Sequence, residues 1–140
     1  MSVVLNPYLS FKDTAREAME FYRSVFGGEL TLSTFGENAG MGVDPAEGDR
    51  VMHAQLVADR GLTLMGADTP SAMGDPSPNG TVSLSGDDAD TLRGYWDKLS
   101  DSGSATMPLD QAPWGDWFGM CVDGFGVSWM VNIAGSGTTG

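Results

Sequence analysis

Gly61-Leu62-Thr63-Leu64-Met65 and Gly126-Val127-Ser128-Trp129-Met130 are two copies of one alternating strand, 65 residues apart. A Gly-Asp pair precedes each copy, Gly48-Asp49 in the first half and Gly115-Asp116 in the second, and another alternating run follows each pair. Further upstream the halves still correspond: Leu5 to Gly28 and Gly80 to Gly103 both read as a strand followed by a helix. Self-similarity at a fixed spacing is the mark of a duplicated supersecondary unit. The chain is therefore expected to fold as two copies of one module.

Each copy contains the same elements. Val3 to Phe11 alternates as a strand in which Pro7, lacking an N–H, requires an edge position or pairing that begins after it. Thr14 to Glu17 fits a capping box, with Asp13 as the alternative cap. Ala18, Phe21, Tyr22 and Val25 then recur at helical spacing until Gly27-Gly28. Glu29–Phe35 is the next strand, and Gly36–Asp49 is a glycine-rich acidic stretch that reads as a long loop. Arg50–Ala58 and Leu62–Gly66 make a hairpin turned by Asp59-Arg60-Gly61. The second copy begins with Thr81–Ser85, followed by a helix capped by Asp87, Asp88 or Asp90 and striped by Leu92, Tyr95, Trp96 and Leu99. Strands follow near Ala105–Leu109, Trp117–Val122 and Val127–Ile133. Each module is β-α-β-β-β, and neither buries its sheet face alone, so an α+β domain of two tandem modules is expected. We place module one at about 3–66, a Pro/Gly/Ser-rich linker at 67–79, module two at about 80–134 and a disordered tail at 135–140.

Composition narrows the functions. Apolar residues make up 41% of the 140, enough for an ordinary core. Seven basic against nineteen acidic residues give a net charge of −12, which repels phosphate backbones and anionic membranes. Neither nucleic acid nor membrane is an expected partner. The single cysteine, Cys121, excludes an intrachain disulfide, and no apolar run approaches the roughly 20 residues of a membrane helix. The N-terminus has no charged segment ahead of an apolar one, so no signal peptide is expected and a cytoplasmic protein is.

The motifs Asn6-Pro7-Tyr8-Leu9, Ala18-Met19-Glu20-Phe21-Tyr22 with Phe26-Gly27, Met52-His53-Ala54, Thr63-Leu64-Met65, Trp114-Gly115, Phe118-Gly119-Met120 and Asp123 through Met130 occur in this order. In these the chain resembles the vicinal oxygen chelate superfamily, the glyoxalase and bleomycin-resistance group, and within it the PhnB-like branch. The resemblance runs from about Leu5 to Asn132. It implies that the modules form a curved mixed sheet around a concave pocket, and that the protein is a homodimer. It also implies His, Glu or Gln metal ligands on the first and last strands of the modules. By position those sites fall near Asn6 and Thr81, and at Met65 and Met130. Asn and Thr are weak neutral ligands, and a thioether is too soft for Mg, Mn or Fe and rarely chosen by Zn. No resident cofactor is therefore expected and no metal ligand is assigned. A divalent metal stays open through His53 with Glu37, Asp44 or Glu47 of the loop. Branch members are sometimes labelled methyltransferases, but no nucleotide-binding glycine loop is present.

Other residues carry the remaining chemistry. His53, the single histidine, shares a strand face with Val51, Gln55 and Val57, and is either a general base or a histidine satisfied by its neighbours. Asp49 and Asp116 read as turn residues, as does Asp123 beside Gly124. Cys121 has no basic residue within five positions, which suits a buried small hydrophobe. Trp114, Trp117, Phe118, Phe125 and Trp129 crowd together with Met120 and Met130, and such residues line either cores or adaptable pockets. Alternation puts Ser128, Met130 and Asn132 on one face, which the resemblance turns towards the pocket with Asn6, Tyr8 and Ser10. The expected ligand site is thus Asn6, Tyr8, His53, Met65, Thr81, Trp117, Ser128 and Met130, with His53 as the candidate catalytic residue. Three functions remain: a small-molecule binding or sequestering protein without a metal, a metal-dependent isomerase, lyase, dioxygenase or thiol transferase, and an interaction protein acting through its dimer surface.

Overall fold

The computed structural model describes residues 5–37, 45–70, 74–76 and 78–135. The chain divides into two compact units, Met1–Pro78 and Asn79–Gly140. The first contains β1 (Tyr8–Phe11), α1 (Ala15–Phe26), β2 (Glu29–Thr34), β3 (Val51–Val57) and β4 (Thr63–Asp68). The second contains β5 (Val82–Gly86), α2 (Ala89–Ser102), β6 (Ser104–Gln111), β7 (Trp117–Val122) and β8 (Ser128–Ile133). The sheets have the same order, β1-β4-β3-β2 and β5-β8-β7-β6. In each, the first strand runs parallel to the last and the other pairings are antiparallel. The duplicated β-α-β-β-β architecture is thus present, as two four-stranded mixed sheets rather than a closed barrel.

The sequence explains each pairing. β1 is an edge strand that begins just after Pro7, and Pro7 still takes part by accepting the Met65 N–H at 3.0 Å. The strand expected from Val3 is therefore shorter: pairing starts at Tyr8, and residues 3 and 4 lie outside the described residues. Helix α1 buries Ala15, Ala18, Met19, Tyr22, Val25 and Phe26, while Phe21 is only partly covered. Helix α2 buries the expected Leu92, Tyr95, Trp96 and Leu99. Each helix sets one large side chain on a strand glycine. A Cβ on Gly66 would lie 3.3 Å from Met19 Sδ, and one on Gly119 would lie 2.8 Å from Trp96 Cη2. Those glycines let the helix approach the sheet, where apolar burial contributes roughly 25 cal/mol per Å².

The helix starts differ from the expectation in one copy. Thr14 makes no side-chain cap, so the capping box is not formed. Instead Asp68, at the end of β4 and only 5% exposed, accepts the Ala15 N–H at 2.9 Å and the Val51 N–H at 2.8 Å. One buried carboxylate thus satisfies an orphan donor of α1 and fixes the start of β3. Asp68 was expected in the linker, but β4 continues through it. Helix α2 has a local cap: Asp88 accepts from the Thr91 N–H at 3.2 Å and the Thr91 hydroxyl at 2.9 Å.

The hairpin turns retain the duplication. Ala58 N–H donates to Leu62 O, and 65 residues later Asp123 N–H donates to Val127 O. Gly61 and Gly126 both carry positive φ, 78° and 84°. The loop after β2 is closed at its base by Phe35 N–H to Arg50 O and Gly36 N–H to Gly48 O. Residues 38–44 of that loop and 136–140 of the expected tail lie outside the described residues.

Candidate functional site

Strand alternation gives each sheet a face towards its helix and a face away from it. In β4, Leu64, Gly66 and Asp68 are buried while Thr63, Met65 and Ala67 are partly exposed. Register extends this face across the first sheet: Tyr8 pairs with Met65, Met65 with Gln55 and Gln55 with Thr31, while His53 pairs with Ser33. Tyr8, Ser10, Thr31, Ser33, His53, Gln55 and Met65 therefore share the face that α1 leaves uncovered. Among the described residues it offers hydroxyls, an amide, an imidazole and one thioether, with Glu29 as the one carboxylate, at the rim.

Two of these side chains meet directly. The Tyr8 hydroxyl lies 3.3 Å from His53 Nδ1, with ring centroids 5.8 Å apart. The phenol donates when the imidazole carries its proton on Nε2, and accepts when the proton is on Nδ1. Tyr8 reaches across β4 to make this bond, although it is 51% exposed. Partial desolvation nevertheless pushes its phenol above the ordinary value of 10.0. The pair can relay a proton between a phenol and an imidazole, or bind a ligand with one donor and one acceptor.

The second sheet presents a softer surface. Ser83 pairs with Met130, Met130 with Met120 and Met120 with Met107. One row further along, Ser85, Asn132, Phe118 and Asp110 are in register. Trp114 packs on Phe118 with centroids 6.5 Å apart and is 63% exposed. Asn132 is oriented by Asp116, which accepts its Nδ2–H at 3.1 Å and the Gly135 N–H at 2.9 Å. Asp116 thus ties the end of β8 to the start of β7, a structural role like the one expected of it.

Of the expected ligand residues, Tyr8, His53 and Met65 come together on the first sheet, and Ser128 and Met130 share a face of the second. Asn6 and Thr81 precede β1 and β5 and lie outside the strands. Trp117 is on the other face: it has the parity of buried Gly119 and Cys121, and the Arg93 guanidinium of α2 sits 4.7 Å above its ring. Alternation along Trp117–Val122 already separates Trp117 from Met120, and crowding of aromatics obscured this. Ser83, Met107, Met120 and Gln55 belong to the uncovered faces although they were not among the expected site residues.

The donors at the family's metal positions are of another kind. At the register where first and last strands meet, the first sheet has Tyr8 beside Met65 and the second has Ser83 beside Met130. No group of three His, Cys, Asp or Glu able to hold an ion occurs among the described residues. Loop carboxylates are engaged locally. Glu37 accepts the Thr34 N–H and hydroxyl, each at 2.9 Å, which holds its carboxyl below the usual range. Glu47 pairs with Arg50 at 2.8 Å, and Asp44 lies outside the described residues. This donor set does not fit a hard divalent ion.

Two mixed sheets of order 1-4-3-2, each covered on one face by its helix, define the class of protein to which comparison leads. The chain belongs to the glyoxalase/bleomycin resistance protein/dioxygenase superfamily, whose model matches residues 4–131. It is 31% identical to protein YjdN of Escherichia coli strain K12, over 92% of this chain and 94% of YjdN. Among solved structures, protein PA1353 of Pseudomonas aeruginosa is 33% identical with a TM-score of 0.80, covering 95% of this chain and 98% of that one. A Bacillus cereus PhnB protein described as a putative 3-demethylubiquinone-9 3-methyltransferase is 27% identical with a TM-score of 0.70, over 94% of this chain and all of that one. The resemblance read from the motifs is confirmed. No helix among the described residues is long and apolar enough to cross a membrane.

Proposed function

We propose that this chain is a small-molecule binding or sequestering protein, using the sheet faces its helices leave uncovered and lacking the usual metal triad of its superfamily. The observation that carries this reading is the Tyr8–His53 hydrogen bond on a face with Met65 and Gln55. Polar groups that pair with each other beside a thioether and an amide suit a neutral or weakly polar organic ligand. The residues proposed to contact a ligand are Asn6, Tyr8, His53 and Met65 on the first unit, and Thr81, Ser128 and Met130 on the second. Trp117 drops out of this set, because it stands on the helix side under Arg93. The protein is further proposed to be a cytoplasmic homodimer that binds neither nucleic acid nor membrane.

A thermal-shift and tryptophan-fluorescence screen of apolar and aromatic metabolites tests the reading. A ligand present at about 100 times its Kd stabilises the folded state by about 2.7 kcal/mol. Tyr8→Phe should diminish that stabilisation for a ligand of the first sheet, and Met130→Leu for a ligand of the second, each leaving the ligand-free midpoint nearly unchanged. A ligand whose effect survives both substitutions would remove these faces from the site.

The second reading is a metal-dependent isomerase, lyase, dioxygenase or thiol transferase, and the same Tyr8–His53 pair favours it as an acid–base couple. Titration with Mn, Ni, Zn and Fe(II) separates the two. Tight binding of one divalent ion per chain, with loss of turnover in His53→Ala, establishes the enzyme; tolerance of His53→Ala with ligand binding intact favours the binder. A methyltransferase activity, as in the description of the Bacillus cereus protein, has no support in these residues.

A further inference from the structure

We propose that Met107, Met120 and Met130 form a binding site for a soft monovalent metal ion, Cu(I) or its analogue Ag(I). The three come from adjacent strands β6, β7 and β8 and are direct register partners: Met107 opposite Met120, and Met120 opposite Met130. Directly opposed residues project to the same side with Cβ atoms about 4.5–5.5 Å apart. Three unbranched side chains, each with a thioether sulfur next to its terminal methyl, can therefore turn onto one point above β7, Met120 from beneath and the other two from either side. Met107 owes its place in the row to the irregularities that flank it in β6, between Ala105 and Met107 and between Met107 and Asp110. Without them its parity would be set by the alternation from Ala105, which pairs with helix-facing Cys121.

The chemistry of this row is selective. A thioether is a soft donor, suited to Cu(I) and not to Mg, Ca or Mn. The same softness that disqualifies Met65 and Met130 as ligands of a hard divalent ion favours a monovalent d10 ion. The three residues are open to solvent: Met107 is 48% exposed, and Met120 and Met130 are partly exposed. A methionine that merely filled the core would be buried as Met19 is. Phe118 is two residues from Met120 on the same face, and Trp114 packs on it, so a cation on the row lies beside aromatic surface that attracts it. The net charge of −12 raises the local concentration of any cation. Ser83, opposite Met130, adds a neutral hydroxyl.

A thioether also has no proton to lose. Metal binding by thiol, imidazole or carboxylate releases protons and depends on pH, whereas binding by three methionines does not. This separates the proposed site from Cys121, which points to the opposite face of β7 and is buried. The site lies wholly within the second unit, shares only Met130 with the residues proposed to contact an organic ligand, and is tested with metal ions alone.

The test is titration of Cys121→Ala protein with Ag(I) by calorimetry, and anaerobically with Cu(I) against a chromogenic chelator. Carbon-13 labelled methionine methyl groups are followed by NMR in parallel. Expected are one ion per chain, an affinity flat from about pH 5 to pH 8, no competition by Mg(II) or Zn(II), and movement of three methyl resonances. Met120→Leu, close in volume, should weaken binding about tenfold or more, and the triple leucine variant should abolish it. No stoichiometric Ag(I) binding in the Cys121→Ala protein overturns the proposal, as does equal binding by the triple variant. Because the methyl shifts are read with all three methionines in place, a leucine variant that misfolds does not rescue or sink it.

Discussion

Removing the Asp123 carboxylate should cost the second unit about 4 kcal/mol, and the estimate follows from its partners. Asp123 is 4% exposed, and its Oδ1 accepts the Phe125 and Val127 N–H groups at 2.8 and 3.1 Å. Its Oδ2 accepts the Trp129 indole N–H at 2.8 Å. In Asp123→Ala the half-buried Phe125 amide can find water, but the buried Val127 amide and Trp129 indole cannot. Each buried donor left unpaired costs about 1–3 kcal/mol, and two together give about 4. A domain of this size has only about 5–15 kcal/mol in total, so the loss is large. All four tryptophans lie in the second unit, so urea unfolding followed by tryptophan fluorescence reports on the unit that holds the change. Trp129→Phe supplies the control by deleting the indole donor. Asp123→Ala in that background should cost about 1–3 kcal/mol less than in the wild type. A loss below about 1 kcal/mol for Asp123→Ala, or additive single effects, would refute the role given to this carboxylate.

Gly28→Ala and Gly103→Ala should each cost about 3 kcal/mol or more in urea unfolding, because a Cβ would strike the carbonyls of Val57 and Val122. Gly61→Ala, with φ of 78° but open space around it, should cost only about 1–2 kcal/mol. Cys121 is buried and its thiol is pushed up to about 11, chiefly by desolvation and then by the Asp123 charge, so a thiol reagent at neutral pH should react only after unfolding. Linkage gives the sign at high pH. Tyr8 and Cys121 titrate higher folded than unfolded, so their contribution is complete below the unfolded values of about 10 and 9 and is lost as pH rises through the folded ones. Stability measured against pH should therefore fall in the alkaline range, and less steeply in Tyr8→Phe and Cys121→Ala.

The fold was largely legible because duplication supplied each element twice. The Gly61–Met65 and Gly126–Met130 repeats are the start of equivalent strands, and the conserved backbone bonds at Ala58 and Asp123 close equivalent turns. What could not be read were partners distant in sequence. Thr14 and Glu17 satisfy the local pattern of a capping box, yet the acceptor for Ala15 N–H is Asp68, 53 residues away. Gly27-Gly28 reads as a helix stop from local propensity. The stronger constraint on Gly28, the Val57 carbonyl against it, exists only once β2 lies beside β3.

The site was legible to the extent that alternation persists. Regular β4 and β8 place Met65, Ser128 and Met130 by parity alone, and Tyr8 follows from its parallel pairing with β4. In β6 parity fails, because the register shifts twice between Ala105 and Asp110. A reading by alternation cannot show that Met107 ends up beside Met120, which is why the methionine row is invisible in the sequence although each residue is plain. A bulge on an edge strand blunts that edge and re-aims the side chains next to it. In this chain the re-aimed residue is the one that extends two paired thioethers to three. The pairing rather than the extra residue makes the row: deleting Thr106 leaves Ala105 opposite Cys121 and Met107 opposite Met120, so Ag(I) binding should survive that deletion and weaken in Met107→Leu.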